Sequence, residues 1–465
     1  MDTVNKLDKQ KITWAVMITS FIGPFMGSSV NVAVPKMALD FSKSPELLTW
    51  AVTAFLIGSA AGLLPFGRLA DIKGRRKVYT IGLVCISLTT IICAISTHFL
   101  SFIFVRFLQG VSMSMIFGTS MALLVSCYKP ENRGKIIGLS AAFVYTGVSV
   151  GPFIGGFITD YLGWRMIFWL TATALLVNFY IISKVKSEWY GAKGRRFDCL
   201  GGIIYVVMII LFLYGISDWN RHQLVRYMPF IAIFLFFLFI KQEKNTDSPL
   251  LNLEMFKSTA FAMSNLAALI HYSATFAIGF VLSLYLQLVR GMDASSAGLF
   301  LLIQPCIMAV LSPKAGALSD RYSPRIIASL GMFIMMMSLF LLSFIDKTTN
   351  IYYICFILVL IGTGFALFSA PNNNAIMGAV EPRFYGVASS ILAVMRLVGQ
   401  ALSMAIVTLI LSLYTMNVLT HQYVQSLLNS FDMIFKLFAC FCILALIASL
   451  LRDKKNGEKG RLKTK

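Results

Sequence analysis

The fold of this chain is decided by one short stretch, Gly67-Arg68-Leu69-Ala70-Asp71-Ile72-Lys73-Gly74-Arg75-Arg76-Lys77. It links two apolar segments and carries two glycines, one aspartate and five basic side chains. Glycine permits tight backbone bends, and the Asp71 carboxylate can accept hydrogen bonds from an arginine or from the start of a neighbouring helix. A loop that only set membrane orientation would need the basic residues but not the glycine–aspartate–glycine spacing. The spacing therefore predicts a latch between helix bundles on one membrane face.

The composition predicts a membrane protein. The 465 residues are 58% hydrophobic and only 13% charged, with a mean hydropathy of +0.78. No soluble domain could bury so much apolar surface, so we expect a polytopic membrane protein. A net charge of +20 would suggest nucleic acid as the partner of a soluble protein, but here the charges lie mostly between apolar segments and set orientation. We predict no nucleic-acid partner, no metal site, no cofactor and no catalytic residues.

About fourteen segments are long or apolar enough to cross a bilayer. If the N-terminus is cytoplasmic, the loops that carry most of the lysines and arginines also fall in the cytoplasm; these are 67–77, 129–135, 184–196, 241–257 and 314–325. An odd number of helices would break this alternation. The prediction is an all-α polytopic protein with both termini cytoplasmic.

A weaker copy of the opening stretch occurs at 316–325 and includes Asp320. It follows the tenth apolar segment as the first copy follows the second, which predicts two homologous halves with two helices inserted between them. Internal duplication is typical of secondary transporters, whose substrate site lies between the halves. The predicted divisions are a six-helix bundle at 1–183, a linker with two helices at 184–257, a second six-helix bundle at 258–451 and a basic cytoplasmic tail at 452–465.

The opening stretch resembles the signature loop of the major facilitator superfamily. The residues on the family pattern are Gly67, Leu69, Asp71, Gly74, Arg75 and Arg76. The resemblance implies the superfamily's fold and a conformational latch made by Gly67, Asp71, Gly74, Arg75, Arg76 and, in the second copy, Asp320. The junctions of the inserted pair, at 197–201 and 248–256, are similar to those of the fourteen-helix drug:proton antiporter family of multidrug exporters.

The fifth apolar segment carries the sharpest motif inside the membrane. Its residues are Gly147, Gly151, Pro152, Gly155 and Gly156. Glycines four apart let helices approach closely, and a proline bends a helix. General close packing would explain the glycines, but the whole string resembles the antiporter motif of drug exporters, which implies a hinge between outward- and inward-facing states.

Proton coupling has two candidates, Arg106 and His271. Arg106 belongs to a string that resembles the family's arginine–glutamine–glycine motif, although an arginine reaching an interface would look the same. His271 lies well inside the ninth segment, and histidine titrates near neutral pH; a structural histidine hydrogen-bonded inside the bundle is equally compatible. The family places an aspartate in the first segment where this chain has Met26. The acidic residues between the two terminal tails of this chain all fall in loops or at helix ends, so the usual membrane carboxylate for cation antiport is missing.

The remaining polar positions within the segments are candidates for the substrate cavity. Together with Met26 they are Asn31, Gln109, Gln287, Gln304 and Arg396. The predicted partners are a small-molecule substrate, protons and the lipid bilayer. The resemblance further implies a monomer and a multi-pass location in a prokaryotic plasma membrane.

The sequence therefore favours a secondary active transporter that exports hydrophobic drugs or other amphipathic compounds by proton antiport and alternating access. Three alternatives stay open. The missing carboxylate permits an exporter of neutral or anionic metabolites, and it also permits a uniporter or an importer. A membrane receptor that does not transport is a different class, disfavoured by the two loop copies and the fifth-segment motif. An enzyme is the least favoured class, because no phosphate-binding loop, metal cluster or nucleophile–base pair is present.

Overall fold

The computed structural model describes residues 6–128, 130–220, 222–251, 253–381, 385–415 and 422–451. Within these ranges, fourteen helices are long and apolar enough to cross a membrane. We number them in chain order: α1 Leu7–Asp40, α2 Pro45–Lys73, α3 Arg75–Ile95, α4 Phe99–Ser126, α5 Ile136–Tyr161, α6 Arg165–Ser183, α7 Cys199–Ser217, α8 Gln223–Asn245, α9 Thr259–Val289, α10 Ala294–Ser319, α11 Pro324–Leu342, α12 Ile351–Gly378, α13 Val387–Thr415 and α14 Tyr423–Leu450. The predicted all-α fold with fourteen spans is confirmed. The predicted tail at 452–465 lies outside the described residues.

Several helices begin and end at residues whose chemistry explains the boundary. Gly74 has a φ of 115°, a conformation that side chains other than glycine rarely adopt, and it separates α2 from α3. Asp198 precedes α7 and accepts a hydrogen bond from the Gly201 amide, while Asp293 precedes α10 and accepts one from the Ser296 amide. These residues fix where α3, α7 and α10 begin.

The helices group into two compact units. The first unit comprises the described residues of 1–251, 279–302 and 404–417. Within it α1 packs on α5, α2 on α4 and α3 on α6. The inserted helices α7 and α8 pack on each other, and α7 also contacts α2, where the Tyr205 hydroxyl donates to the Ala60 carbonyl at 3.1 Å. The inserted pair therefore packs against the other helices of this unit.

The second unit comprises the described residues of 252–278, 303–403 and 418–465. Within it α11 packs on both α12 and α14, and α9 packs on α14. The Asn372 amide donates to the Ser264 carbonyl at 3.2 Å, which joins α12 to α9. The boundaries of the two predicted six-helix halves stay a prediction.

Candidate functional site

The stretch 67–77 was predicted as a loop, but residues 67–73 form the end of α2 and residues 75–77 the start of α3, so only Gly74 lies between the helices. This stretch, for which we keep the name signature loop, is held by its own ion pair. The Asp71 carboxylate lies 2.7 Å from a terminal nitrogen of Arg75 and also accepts a hydrogen bond from its Nε at 2.8 Å. Arg75 in turn donates to Ser126 Oγ at 2.7 Å and to the Ala122 carbonyl at 3.3 Å. Arg75, the first residue of α3, therefore connects Asp71 at the end of α2 to the end of α4.

The linker after α6 lies on the signature loop. The Asp71 carbonyl accepts hydrogen bonds from the amides of Gly191 at 3.0 Å and Ala192 at 2.9 Å. The Arg75 amide donates to the Trp189 carbonyl at 2.8 Å. A β-carbon at Gly191 would lie 2.4 Å from Asp71 Oδ1, so only glycine fits there without displacement. Backbone of the linker thus completes the loop.

Glu188 is the acidic member of this contact. Its carboxylate accepts hydrogen bonds from the amides of Arg76 at 2.8 Å and Lys77 at 3.1 Å, two donors that the first turn of α3 leaves unpaired. The Arg76 side chain lies 3.7 Å from the same carboxylate and also donates to the Val185 carbonyl. Glu188 was not among the site residues predicted from the sequence, although it is the one acidic residue in the strongly basic linker 184–196.

The fifth-helix glycines meet two different neighbours. A β-carbon at Gly147 would lie 2.4 Å from the Phe21 carbonyl oxygen of α1, and one at Gly155 would lie 2.7 Å from Ser29 Cα. At Gly156 the neighbour is the Ala294 carbonyl of α10, at 2.3 Å. Side chains larger than hydrogen are excluded at these approaches.

The remaining two residues of this motif extend the same faces. A β-carbon at Gly151 would lie 3.0 Å from the Phe25 carbonyl of α1, and Pro152 contributes its carbonyl to the α10 face, 2.2 Å from a β-carbon at Gly298. The motif therefore has one face for α1 and one for the start of α10.

Arg106 is buried, with 1% of its surface exposed. Its Nε donates to the Ala51 carbonyl at 2.7 Å, Nη1 donates to Gln109 Oε1, and the guanidinium lies 4.6 Å from the centre of the Phe55 ring. Among the described residues, no carboxylate forms an ion pair with it. The cation is stabilised by neutral oxygens and an aromatic face instead.

Gln109 links Arg106 to the position where the family has an aspartate. Its Nε2 donates to Thr90 Oγ1 at 2.7 Å and lies 3.4 Å from the sulfur of Met26. Both Gln109 and Met26 are fully buried. Met26 therefore packs against the arginine network through one amide.

Gln287 of α9 contacts α1 at Val32, the residue that follows Asn31. The Gln287 amide donates to the Val32 carbonyl at 3.0 Å and to Ser283 Oγ at 2.9 Å. Asn31 is 8% exposed, and its Oδ1 has no hydrogen-bond partner within the part of the chain that the structure describes. These two candidates connect α1 to the second part of α9.

His271 lies in the second unit and is fully buried. Its ring stacks on Phe368 with the ring centres 4.1 Å apart, and Phe365 lies 4.9 Å away. Nδ1 lies 3.2 Å from the sulfur of Met332, and Nε2 has no hydrogen-bond partner among the described residues. The imidazole thus occupies an aromatic site with one unused nitrogen.

The other candidates of this unit are less constrained. The Gln304 carbonyl lies 2.6 Å from where a β-carbon of Gly362 would stand, and its side chain is half-buried. Arg396 is half-buried and precedes Gly399, which closely approaches α9. Asp320 lies in the helical segment Ile303–Arg321; its side chain lies outside the described residues. Within the described ranges, no group of three His, Cys, Asp or Glu side chains could hold a metal ion.

In the described residues, fourteen membrane-spanning helices with a buried arginine network and a glycine-lined helix contact define a multi-pass membrane protein. The family model of the Major Facilitator Superfamily matches residues 16–404 and 264–465, and the chain belongs to that superfamily. This confirms the predicted family, the multi-pass cell-membrane location and the exclusion of an enzyme.

The chain is similar to several curated transporters. It is 27% identical over 402 residues to the riboflavin transporter RibZ of Clostridioides difficile, covering 85% of this chain and 87% of that protein. It is also 27% identical over 407 residues to the multidrug resistance protein Stp of Mycobacterium tuberculosis, covering 85% of this chain and 75% of the relative. Among solved structures, a POT family transporter matches with a TM-score of 0.71 at 13% identity, covering 94% of this chain and 95% of that one. A bacterial homologue of the lysosomal transporter Spinster matches with a TM-score of 0.67 at 14% identity, covering 96% and 97%.

Proposed function

We propose that this transporter exports hydrophobic or amphipathic small molecules by proton antiport. The observation that carries the proposal is the contact of the α5 glycines with α1 on one face and with the start of α10 on the other. A contact between backbones can separate and re-form as a unit, which alternating access requires. The relatives named as multidrug resistance proteins support the same reading.

The proposed arrangement keeps the predicted topology, with both termini cytoplasmic and two six-helix bundles joined by the inserted pair. On this topology the signature loop is cytoplasmic, and the contact of α5 with the start of α10 lies near the outer face. Asp71, Arg75 and Arg76 would stabilise one state from inside, while the glycine contact closes the other side. We propose that the protein functions as a monomer.

We propose the residues that couple proton movement to transport from the burial of their ionisable side chains. Arg106 and His271 are each fully buried, and an ionisable group inside the membrane is a functional candidate. The unused Nε2 of His271 could accept a proton when a rearrangement admits water. Arg106 would then act as the fixed positive charge of the first unit.

A second candidate is transport of neutral or anionic metabolites, in either direction. It is favoured by the neutral partners of Arg106, because a buried cation without a carboxylate attracts an anionic ligand rather than a cationic one. Arg396 in α13 would add a second positive charge. The relative named as a riboflavin transporter belongs to the same group of similar proteins.

Proton movement in everted vesicles distinguishes the two. Vesicles loaded with a pH-sensitive dye are challenged with hydrophobic cations, then with neutral and anionic compounds including riboflavin, with vector-only vesicles as the control. Proton release on adding a drug supports antiport, and its loss in His271→Ala makes His271 the coupling site. If no compound moves protons while labelled compound still equilibrates, antiport is wrong and the protein is a facilitator.

A further inference from the structure

A buried carboxylate stands in the inserted helix pair. Glu243, in the last turn of α8, is only 4% exposed. Its Oε2 accepts a hydrogen bond from the Leu251 amide at 2.8 Å, but its Oε1 has no hydrogen-bond partner among the described residues. A buried, ionised carboxylate with an unsatisfied oxygen is costly, whereas the protonated acid removes the charge.

A half-buried arginine of the signature stretch, Arg68, lies in the electrostatic field of this carboxylate. The Nε of Arg68 is buried and, like Glu243 Oε1, lacks a hydrogen-bond partner within the described residues. Arg68 lies in the electrostatic field of Glu243, Asp71 and Arg195, yet no ion pair joins Arg68 and Glu243 among the described residues. In the part of the chain that the structure describes, two groups of opposite charge, each with an unused buried atom, thus interact electrostatically without forming an ion pair.

Asp198 occupies the other side of Glu243. Its carboxylate accepts hydrogen bonds from the Gly201 amide at 2.9 Å and from Gln242 Nε2 at 3.1 Å. A β-carbon at Gly201 would lie 2.6 Å from Asp198 Oδ2 and 3.2 Å from Glu243 Oε1, so the glycine makes room for both carboxylates. The Gly201 amide and the Gln242 side chain both donate to Asp198, and two carboxylates on either side of one glycine disfavour a second negative charge.

We propose that Glu243 is a proton-binding site of this transporter, protonated in the conformation described and paired with Arg68 after the proton leaves. The charged groups that face Glu243 are Asp198 at the start of α7 and Arg68 on α2. Loss of the proton draws Arg68 towards α8 and away from Asp71, so the signature loop responds to protonation. The inserted pair thereby supplies a carboxylate that the first helix lacks at Met26. The role in coupling rests on the proposed proton antiport.

The protonation state is tested without transport. The purified full-length protein in liposomes is treated with a hydrophobic carbodiimide, which reacts with protonated carboxyl groups in apolar surroundings, and the modified residues are identified by mass spectrometry. Glu254, whose side chain is 80% exposed, is the internal control. We expect labelling of Glu243 at neutral pH, its loss as the pH rises, and persistence to higher pH in Arg68→Gln. Labelling of Glu243 no stronger than that of Glu254 at every pH overturns the proposal.

The coupling role is tested in the everted vesicles. Glu243→Gln keeps the acceptor for the Leu251 amide and removes the titration, and Glu254→Gln is the matched control. We expect drug-driven proton release to be lost in Glu243→Gln while labelled drug still equilibrates. Unchanged proton release in this variant refutes the coupling role. If the unsubstituted protein moves no protons, the proposed function fails by itself, and the carbodiimide labelling still decides whether Glu243 binds a proton.

Discussion

Two glycines of α5 differ only in what surrounds them. A β-carbon at Gly147 would lie 2.4 Å from the Phe21 carbonyl oxygen and 3.2 Å from the Phe25 amide nitrogen, whereas nothing lies within 4 Å of one at Gly138. The neighbours at Gly147 are backbone atoms, which no rotamer change can displace. To restore an ordinary separation of about 3.5 Å, α1 would have to move away from α5 by about 1 Å.

We predict that Gly147→Ala destabilises the protein relative to Gly138→Ala. Alanine gains up to about 1 kcal/mol over glycine in a helix, and this gain is shared by both variants. Overpacking a tight interface costs about 1–3 kcal/mol, and only Gly147→Ala incurs it. The difference between the two variants therefore isolates the cost of separating α1 from α5.

Equilibrium unfolding of the purified variants in mixed micelles, followed by tryptophan fluorescence, measures this difference. Both variants are also assayed for transport in the everted vesicles, where Gly138→Ala should match the unsubstituted protein. Equal stability of the two variants would refute the reasoning, because it would mean that α1 yields without cost and that the contact is not tightly packed.

Three further predictions concern charges. Met26→Asp places a carboxylate beside Gln109, whose side chain also contacts Arg106, and should create proton-coupled export of a cationic dye. Met26→Asn, which adds no charge, should not create this export. Equal dye export by both variants would contradict a coupling role for a carboxylate at this position. Replacing Glu188 by Gln weakens the cap on α3 and should lower the unfolding free energy by about 0.5–2 kcal/mol, and no change in denaturant midpoint would count against that cap. The pKa of Asp293 is held at about 2 by hydrogen bonds from neighbouring serines, below its ordinary 3.8. Its carboxylate therefore stabilises α10 above pH 3.8 and loses this effect as the pH falls through about 2. Asp293→Ala should lower the unfolding free energy by about 1 kcal/mol at neutral pH. The same loss at the lowest pH would exclude an ionic origin of the effect.

Sequence patterns predicted the parts of this molecule that depend on local spacing. The glycines of α5 are read directly from the chain, because close helix approach requires a small residue at every fourth position. Asp71 and Gly74 were predicted as parts of one loop, which is wrong for Asp71: it lies in the last turn of α2, and Gly74 alone separates α2 from α3. The structure adds that Gly74 needs its positive φ and that Asp71 pairs with Arg75.

Other features depend on contacts between distant segments, which no local pattern contains. Glu188 accepts hydrogen bonds from the amides of Arg76 and Lys77, which lie over a hundred positions earlier in the chain. The substitution at Met26 was visible in the sequence, but its proximity to Gln109 was not. Glu243 was expected in the loop 241–257, but the structure continues α8 to Asn245 and places Glu243 in its last turn. Its burial follows from the packing of α7 on α8 and could not be read from its position in the chain.

The glycine faces of α5 have a thermodynamic consequence for any motion of this helix. Burying a long side chain costs up to about 2 kcal/mol of rotational freedom, whereas glycine has no such freedom to lose. Contacts made by Gly147, Gly155 and Gly156 therefore form and break without freezing or releasing rotamers on the α5 side. Dispersion, hydration and the hydrogen bond from Ser29 Oγ to the Gly151 carbonyl at 2.9 Å set their balance. An opening of this contact therefore carries little entropic penalty from the α5 side chains and responds directly to what fills the gap, water or a bound molecule.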